Sequence, residues 1–358
     1  MKPVKPNIYE MRAYSVPQQF DGIKLNQNES SIDVPMEIKE QILLRMKQAQ
    51  WNRYPENFPR LLTQQIAAYT GFPVEGIMVG NSSNELIQTV IHGCCDSGDH
   101  ILTVTPTFSV YHQVASVMNI VTHQVPLNTD FSFNLSAITE KLKKSNRVKA
   151  VILASPNNPT GTVMELEAIE AIAGKSTALV VIDEAYFEFC GGSAQSLPAN
   201  YENVVVLRTF SKAFSAAGIR LGYLMAQPRL IKEFNKVKLP FSVGLFQQIA
   251  GKVLLENREW LEKHVRTVIH EREHVFTHME KIPGIEPIPS QANFILFRST
   301  GKPANELYEN LYNKGVLVRA FSSLGLKDML RVSIGTSLEN SLFLEKLREI
   351  LREKEKQP

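Results

Sequence analysis

Three short apolar runs of the chain each end in residues whose side chains can do chemistry. The runs are VKAVILA (148–154), ALVVID (178–183) and VVVLRTF (204–210). The polar residues at their ends lie in SPNNPTG (155–161), DEAY (183–186) and SK (211–212). Each run is rich in Val, Ile and Leu without alternation, which is typical of strands buried on both faces of a parallel sheet. Because ligands bind at the carboxyl ends of such strands, we expect these polar side chains to converge on one crevice.

The side chains at these strand ends match the needs of pyridoxal phosphate. The aldehyde of this cofactor condenses with a lysine amine, and Lys212 follows a strand end from which it can reach inward. The pyridine nitrogen withdraws electrons only while an anion holds its proton, which is the predicted task of Asp183. Tyr186 and Asn158 can donate hydrogen bonds to the phenolic oxygen of the ring. The sequence therefore predicts a pyridoxal phosphate site in which Lys212, Asp183 and Tyr186 are catalytic.

The predicted site for the cofactor's phosphate combines a fixed cation with hydroxyl and backbone donors. Arg220 follows the lysine by eight residues, and the small residues between them allow the backbone to pack tightly against the cofactor. Ser211 adds a hydroxyl, and GNSSNELIQTV (80–90) has the pattern of a helix start, whose backbone N–H groups bind anions. Phe108 offers a flat face for stacking on the ring. Nucleotide cofactors are disfavoured, because neither G-x-G-x-x-G after the first strand nor G-x-x-x-x-G-K-[ST] is present.

The wider pattern predicts an α/β protein with a mostly parallel central sheet, helices on both of its faces and a smaller α+β domain. Helix-length segments such as TVMELEAIEAIAGK separate the apolar runs. A long amphipathic helix, NREWLEKHVRTVIHEREHVFTHMEKI, precedes three further runs, NFILFRS, GVLVRAF and LRVSIGT, with helical segments at 303–314 and 337–353. We expect an N-terminal arm over 1–34, a large cofactor-binding domain over 35–245 and a small C-terminal domain over 246–358, joined by the long helix.

Composition and charge limit the class of protein. The chain has 358 residues, of which 44% are hydrophobic, so two globular domains are the natural expectation. A net charge of +3 does not indicate a nucleic-acid partner, and no run reaches the roughly 18 apolar residues that a membrane helix needs. Three cysteines and the lack of an apolar secretory stretch favour the cytoplasm. No metal-ligand spacing is present, so we predict a cytoplasmic protein with small-molecule partners and no metal.

The motifs together resemble a known family. SPNNPTG, DEAY and RTFSKAFSAAGIRLGY closely resemble the class I/II group of fold-type I pyridoxal-phosphate aminotransferases, whose histidinol-phosphate branch is nearest. The similarity extends from LNQNES near residue 25 to RVSIGT near 335 and includes NRYPE (52–56). The resemblance implies the pyridoxal-phosphate-dependent transferase fold. It also implies transamination in two halves, in which Lys212 moves the α-proton and an amino group passes between histidinol phosphate or its keto form, imidazole-acetol phosphate, and glutamate or 2-oxoglutarate.

The resemblance assigns roles residue by residue. Lys212 would bind the cofactor covalently, Asp183 would hold the pyridine nitrogen, and the other cofactor contacts would be Asn158, Tyr186, Ser211, Arg220, Ser82, Ser83, Asn84 and Phe108. Tyr54 would reach into the neighbouring subunit's site, which implies a homodimer with shared sites. The substrate, including its phosphate, would be held by Tyr14, Asn158, Arg319 and Arg331.

Two departures from the family pattern bear on the substrate. Asn84 replaces an acidic residue, which keeps a helix-capping side chain near the phosphate but removes a charge. Phe108 stands where tyrosine is frequent, so stacking is retained and a hydroxyl contact is lost.

Two other activities follow from the same residues, and a non-catalytic role is a third alternative. An arginine fork binds a carboxylate as well as a phosphate, so Arg319 and Arg331 also suit an aromatic amino-acid aminotransferase. A threonine-phosphate-type decarboxylase, which would release carbon dioxide and leave no keto product, needs similar residues. A non-catalytic regulator is disfavoured, because the N-terminal arm is too short for a helix-turn-helix and the lysine is present.

Overall fold

The structure, a computed structural model, describes residues 3–11, 13, 17, 20–322 and 324–352. The helices are α1 (Pro6–Glu10), α2 (Met36–Gln48), α3 (Arg60–Thr70), α4 (Ser82–Cys94), α5 (Val110–Val117), α6 (Leu135–Lys143), α7 (Leu166–Ala173), α8 (Leu197–Asn200), α9 (Pro228–Val237), α10 (Leu245–Glu256), α11 (Arg258–Met279), α12 (Ala304–Asn313) and α13 (Ser337–Arg352). The strands are β1 (Ile23–Lys24), β2 (Ile77–Gly80), β3 (His100–Thr105), β4 (Val121–Pro126), β5 (Val148–Ala154), β6 (Leu179–Asp183), β7 (Val204–Thr209), β8 (Gly222–Met225), β9 (Ile285–Pro287), β10 (Phe294–Ser299), β11 (Val316–Leu317), β12 (Arg319–Ala320) and β13 (Met329–Ser333).

A seven-stranded sheet with the order β2-β8-β7-β6-β5-β3-β4 forms the larger part of the molecule. Strands β3 to β7 pair in parallel, whereas β8 is antiparallel to both of its neighbours. The three apolar runs that begin at Val148, Ala178 and Val204 form the adjacent strands β5, β6 and β7. The predicted α/β class with a mostly parallel central sheet is therefore confirmed.

Both faces of the central part of this sheet are covered, which explains why β5, β6 and β7 are rich in apolar residues. On β7, Val204 and Val206 pack into one hydrophobic cluster, whereas Val205 and Leu207 pack into a second cluster. Successive side chains of a strand point to opposite faces, so each face needs its own apolar set.

A second, antiparallel sheet with the order β12-β13-β10-β9 lies in the C-terminal part of the chain. The run GVLVRAF is divided between two sheets: β11 pairs in parallel with β1 of the N-terminal arm, and β12 pairs with β13. The arm also contains the short helix α1, in which Pro6 occupies the first position, where proline is favoured. The N-terminal arm is thus hydrogen-bonded to the C-terminal part.

The predicted long helix is α11, which contacts β9, β10 and α13. The preceding helix, α10, packs on α2 and α3. The domain limits at residues 34 and 245 stay a prediction. Within the described residues, no helix is both long and apolar enough to cross a membrane.

Candidate active site

A cavity of about 1050 Å³ opens where the carboxyl ends of β5, β6 and β7 meet. It is lined by twelve of the predicted site residues: Ser82, Ser83, Asn84, Phe108, Asn158, Asp183, Tyr186, Ser211, Lys212, Arg220, Arg319 and Arg331. Tyr54 does not line it, and Tyr14 lies outside the described residues. The structure therefore brings together residues that are far apart in the chain, such as Ser82 and Arg331, which are separated by 249 positions.

Asp183 is the last residue of β6 and is buried. Its Oδ2 accepts a hydrogen bond of 2.7 Å from the Tyr111 hydroxyl, and its Oδ1 accepts one of 3.1 Å from the backbone nitrogen of Ala185. Burial raises the pKa of Asp183 to about 6, against the opposing effect of these two hydrogen bonds. The next residue, Glu184, turns to the other side of the sheet, where it forms a buried ion pair of 2.9 Å with Arg208. Only the first carboxylate of DEAY thus belongs to the site.

Lys212 follows β7 and points its amine into the cavity. The Nζ donates hydrogen bonds to the backbone oxygens of Gln27 and Asn28, at 3.1 and 3.0 Å. Burial, together with the positive charges of Arg331 and Arg220, lowers the pKa of Lys212 to about 7. A lysine in this environment is a nucleophile and a base near neutral pH, because a large part of it carries no proton.

The hydroxyl of Tyr186 lies among amide donors. Asn28 Nδ2 donates to Tyr186 Oη at 3.0 Å and Asn158 Nδ2 at 3.4 Å. Asn28 also binds the small sheet, since its backbone nitrogen donates to Ser333 Oγ at 2.8 Å. Asn28 is not among the residues predicted from the sequence, although it lies in the amide-rich segment LNQNES, which is the signal that could have indicated it.

The opposite end of the cavity carries the predicted phosphate ligands. Ser82 and Ser83 are buried at the N-terminus of α4, where backbone N–H groups and the helix dipole favour an anion. Arg220 adopts a left-handed backbone, with φ 60°, and its Nη1 lies 3.4 Å from Ser211 Oγ. Gly222 brings α4 close to the sheet, because a Cβ there would lie 2.6 Å from the backbone nitrogen of Ser83. The end of the cavity therefore joins a cation, hydroxyls and a helix N-terminus.

Arg331 and Phe108 complete the cavity wall. Arg331 is buried and donates from Nη1 to Asn158 Oδ1 at 2.5 Å and from Nη2 to the backbone oxygen of Asn26 at 2.8 Å. Phe108 touches Tyr111 edge-on, with 5.7 Å between the ring centroids. Asn84, which like Phe108 departs from the family pattern, is exposed where it lines the cavity.

Tyr54 lies on the outer surface. Its side chain is among the most exposed aromatic groups, at 82% of full exposure, and it stacks on Phe241 with 4.7 Å between ring centroids. The contact that the sequence predicts for it is with a neighbouring subunit, so its distance from the cavity of its own chain does not conflict with that prediction.

The donor set of the cavity fits pyridoxal phosphate. A phosphate group needs a cation and several hydrogen-bond donors, which Arg220, Ser82, Ser83 and the α4 N-terminus supply. A buried carboxylate and a lysine with a lowered pKa lie elsewhere in the same cavity. Such a set of perturbed groups in one cleft is typical of an active site.

Comparison with known proteins identifies the class. Residues 21–347 match the family described as aminotransferase class I and II, and the chain belongs to this family of enzymes. The chain is 38% identical to histidinol-phosphate aminotransferase of Chlorobium phaeovibrioides. The matching 350 residues cover 97% of this chain and 96% of the relative. A 36% identical relative from Nitrosococcus oceani, covered to 96% on both sides, is histidinol-phosphate aminotransferase 2. The family predicted from the sequence motifs is confirmed.

Solved structures confirm the fold. The chain superposes with a TM-score of 0.90, over 99% of both chains, on histidinol-phosphate aminotransferase from Sinorhizobium meliloti in complex with pyridoxal-5'-phosphate, with 22% identity. This likeness establishes the predicted fold-type I architecture. The choice of substrate depends on the residues of the site.

Proposed function

We propose that the protein is a pyridoxal-phosphate-dependent aminotransferase of histidine biosynthesis, which moves an amino group between histidinol phosphate or imidazole-acetol phosphate and glutamate or 2-oxoglutarate. The observation that carries this proposal is that Lys212, Asp183 and Arg220 share one cavity with two further arginines, Arg319 and Arg331, which can bind an anion. The full-length similarity to histidinol-phosphate aminotransferases supports the choice of substrate.

The residues of this chain divide the binding of the cofactor between them. Pyridoxal phosphate supplies an electron sink for the electron pair left on the α-carbon of the substrate. Lys212 binds the cofactor covalently, and Phe108 stacks on its ring. The phosphate is bound by Arg220, Ser211, Ser82 and Ser83. Asn158 and Tyr186 donate to its phenolic oxygen.

Proton transfer is the task of Lys212. Its lowered pKa, about 7, leaves a neutral amine available to take the α-proton and an ammonium available to return it. Asp183 keeps the ring nitrogen protonated, because a buried carboxylate next to it favours the positive charge. The backbone oxygens of Gln27 and Asn28 accept hydrogen bonds from the Lys212 amine and so hold it in the cavity.

Substrate recognition is the proposed task of Arg319 and Arg331. Arg319 and Arg331 present charged donors that suit a phosphate, and Asn158 faces both the cofactor site and Arg331. Tyr14 is proposed as a further ligand of the substrate phosphate from its position in the family pattern.

The half-reaction with purified, cofactor-loaded enzyme tests this function. Histidinol phosphate, phenylalanine, glutamate and threonine phosphate are mixed separately with the enzyme, the cofactor absorbance is followed and the products are identified by mass. We expect fast conversion with histidinol phosphate and glutamate, and a keto product in each case. A preference for phenylalanine would move the enzyme to the aromatic branch, and release of carbon dioxide from threonine phosphate would make it a decarboxylase.

A homodimer with shared sites is part of the proposal. Tyr54 and Phe241 are both exposed and stack on each other, and Asn57 accepts a hydrogen bond of 2.8 Å from the backbone nitrogen of Phe241, so the two segments lie together on the surface. Trp51, Phe58 and Leu239, which are near these residues in the sequence, are also exposed. An exposed aromatic cluster of this kind is typical of a surface that binds another protein. We propose that a second copy covers it and that the enzyme works in the cytoplasm.

A further inference from the structure

Tyr111 is a cavity residue to which neither the motifs nor the family pattern gave a role. It lies on α5, one turn after Phe108, and its side chain is completely buried. Its hydroxyl donates a hydrogen bond of 2.7 Å to Asp183 Oδ2. This length is that of a strong hydrogen bond between a hydroxyl and a charged acceptor.

The surroundings of Asp183 make this hydrogen bond important. The other carboxylate oxygen is bound by the backbone nitrogen of Ala185 at 3.1 Å. The other charged groups that act on Asp183 are the amine of Lys212, which favours the carboxylate, and Glu184, which opposes it. Glu184 is engaged with Arg208 on the far side of the sheet. Within the described residues, Tyr111 is therefore the side chain that donates a hydrogen bond to the Asp183 carboxylate.

We propose that Tyr111 is a positioning residue that keeps the Asp183 carboxylate anionic and aimed at the ring nitrogen of the bound cofactor. The inference rests on the proposed function, because it assigns the ring nitrogen to Asp183.

The physical basis is a competition for one proton. A proton between a carboxylate and a pyridine nitrogen lies on whichever group is the stronger base. A hydrogen bond donated to the carboxylate stabilises its charged form and lowers its basicity, which leaves the proton on nitrogen. Burial acts in the other direction and raises the pKa of Asp183 to about 6. Tyr111 offsets this effect of burial without adding a charge to the site.

The location of Tyr111 links two parts of the cofactor site. The same ring that donates to Asp183 touches the edge of Phe108, with the two ring planes at 85°. α5 thus fixes the stacking face and the carboxylate together. Tyr111 could not be predicted from the sequence, because a tyrosine on a short helix with Val and Ala looks like an ordinary core residue.

Solid-state NMR of enzyme loaded with cofactor labelled with ¹⁵N in the ring reads the proposed effect directly. The wild-type signal is expected at the position of a protonated nitrogen. In Tyr111→Phe it should move towards that of an unprotonated nitrogen, and the half-reaction with histidinol phosphate should slow about tenfold, as expected for a change of ~1.4 kcal/mol. Tyr223→Phe is the matched control, since it removes an equally buried hydroxyl that lies 3.5 Å from Arg208 Nη1, and its ring-nitrogen signal should match that of wild type.

A second comparison guards against simple loss of folding. In an Asp183→Asn background no carboxylate remains, so adding Tyr111→Phe should change neither the signal nor the rate further. Equal effects of Tyr111→Phe in both backgrounds would overturn the proposal, and so would a wild-type signal in the single variant. If wild-type enzyme itself fails to bind the cofactor, the proposed function is what fails; a wild type that binds it with a protonated nitrogen leaves Tyr111 as the point under test.

Discussion

Arg319 and Arg331 lie directly opposite each other on the antiparallel strands β12 and β13. Residues paired in this way point to the same face of a sheet, and like charges in such a pair repel. Arg331 is bound by Asn158 and by the backbone of residue 26, whereas the guanidinium of Arg319 makes neither a hydrogen bond nor an ion pair within the described residues. An anion between the two arginines would relieve their repulsion, and we propose that the substrate phosphate is this anion.

Replacing Arg319 with Gln should weaken substrate binding and leave the fold and the cofactor in place, because the Arg319 side chain makes no hydrogen bond or ion pair with another described residue. We expect the KM for histidinol phosphate to rise about tenfold or more, the effect of losing a charge-assisted hydrogen bond of ~1.5–3 kcal/mol, while kcat changes less. Steady-state kinetics checks this. Arg298→Gln, which removes an exposed arginine of the same sheet that pairs with Glu286, should leave KM unchanged. An unaltered KM in Arg319→Gln would exclude this arginine from the substrate site.

The close packing of Gly222 against α4 leads to a prediction about cofactor affinity. A Cβ at this position would lie 2.6 Å from Ser83 N, 2.8 Å from Ser82 C and 2.9 Å from Arg208 O, all of them backbone atoms that cannot easily move aside. Gly222→Ala should therefore push the N-terminus of α4 out of place and weaken binding of pyridoxal phosphate to the apoenzyme about tenfold or more, which titration by absorbance measures.

Gly192 provides the control for this prediction. A Cβ there would meet no atom within 4 Å, and the residue does not line the cavity. Gly192→Ala should bind the cofactor like wild type. Equal affinities of the two alanine variants would show that the packing of α4 on β8 does not govern the phosphate site.

The lowered pKa of Lys212 predicts how cofactor uptake depends on pH. Only the neutral amine can attack the aldehyde, and burial lowers the pKa of Lys212 to about 7. The rate of covalent attachment to the apoenzyme should rise with pH up to about 7 and then level off. A lysine peptide in solution, with a pKa of about 10.4, should continue to gain reactivity up to about pH 10. Stopped-flow absorbance measures both, and an enzyme profile that rises in parallel with that of the peptide would refute the effect of burial.

The convergence of side chains on one cavity could be predicted from the sequence where the end of a strand positions them. Asp183 ends one parallel strand and Lys212 comes shortly after another, and both strands can be recognised in the sequence as short apolar runs, so their convergence could be expected. The pattern could not tell that Glu184 faces Arg208 across the sheet, because adjacent residues at a strand end differ only in the side they face. Asn28 and Tyr111 depend on contacts between distant segments, and the division of GVLVRAF between two sheets depends on pairing with the N-terminal arm. Such long-range pairing leaves no local signal.

The shared site makes a prediction for mixed dimers. If Tyr54 acts in the neighbouring subunit's site, Tyr54→Ala and Lys212→Ala enzymes are each inactive, but a hybrid dimer has one site with an intact Lys212 and an intact Tyr54. Random exchange makes about half of the dimers hybrid, so about a quarter of wild-type activity should return. Mixing after mild dissociation, followed by the transamination assay, measures this recovery.

The mixing experiment also separates sharing from a role of Tyr54 within its own chain. Tyr312→Ala, which removes an exposed tyrosine that contacts Phe20 on another part of the surface, should be active without mixing. If tagged subunits prove that hybrids form and no activity returns, Tyr54 does not serve the partner's site. If Tyr54→Ala is fully active alone, the tyrosine has no part in either site, and the exposed cluster around Phe241 would then be a contact surface only.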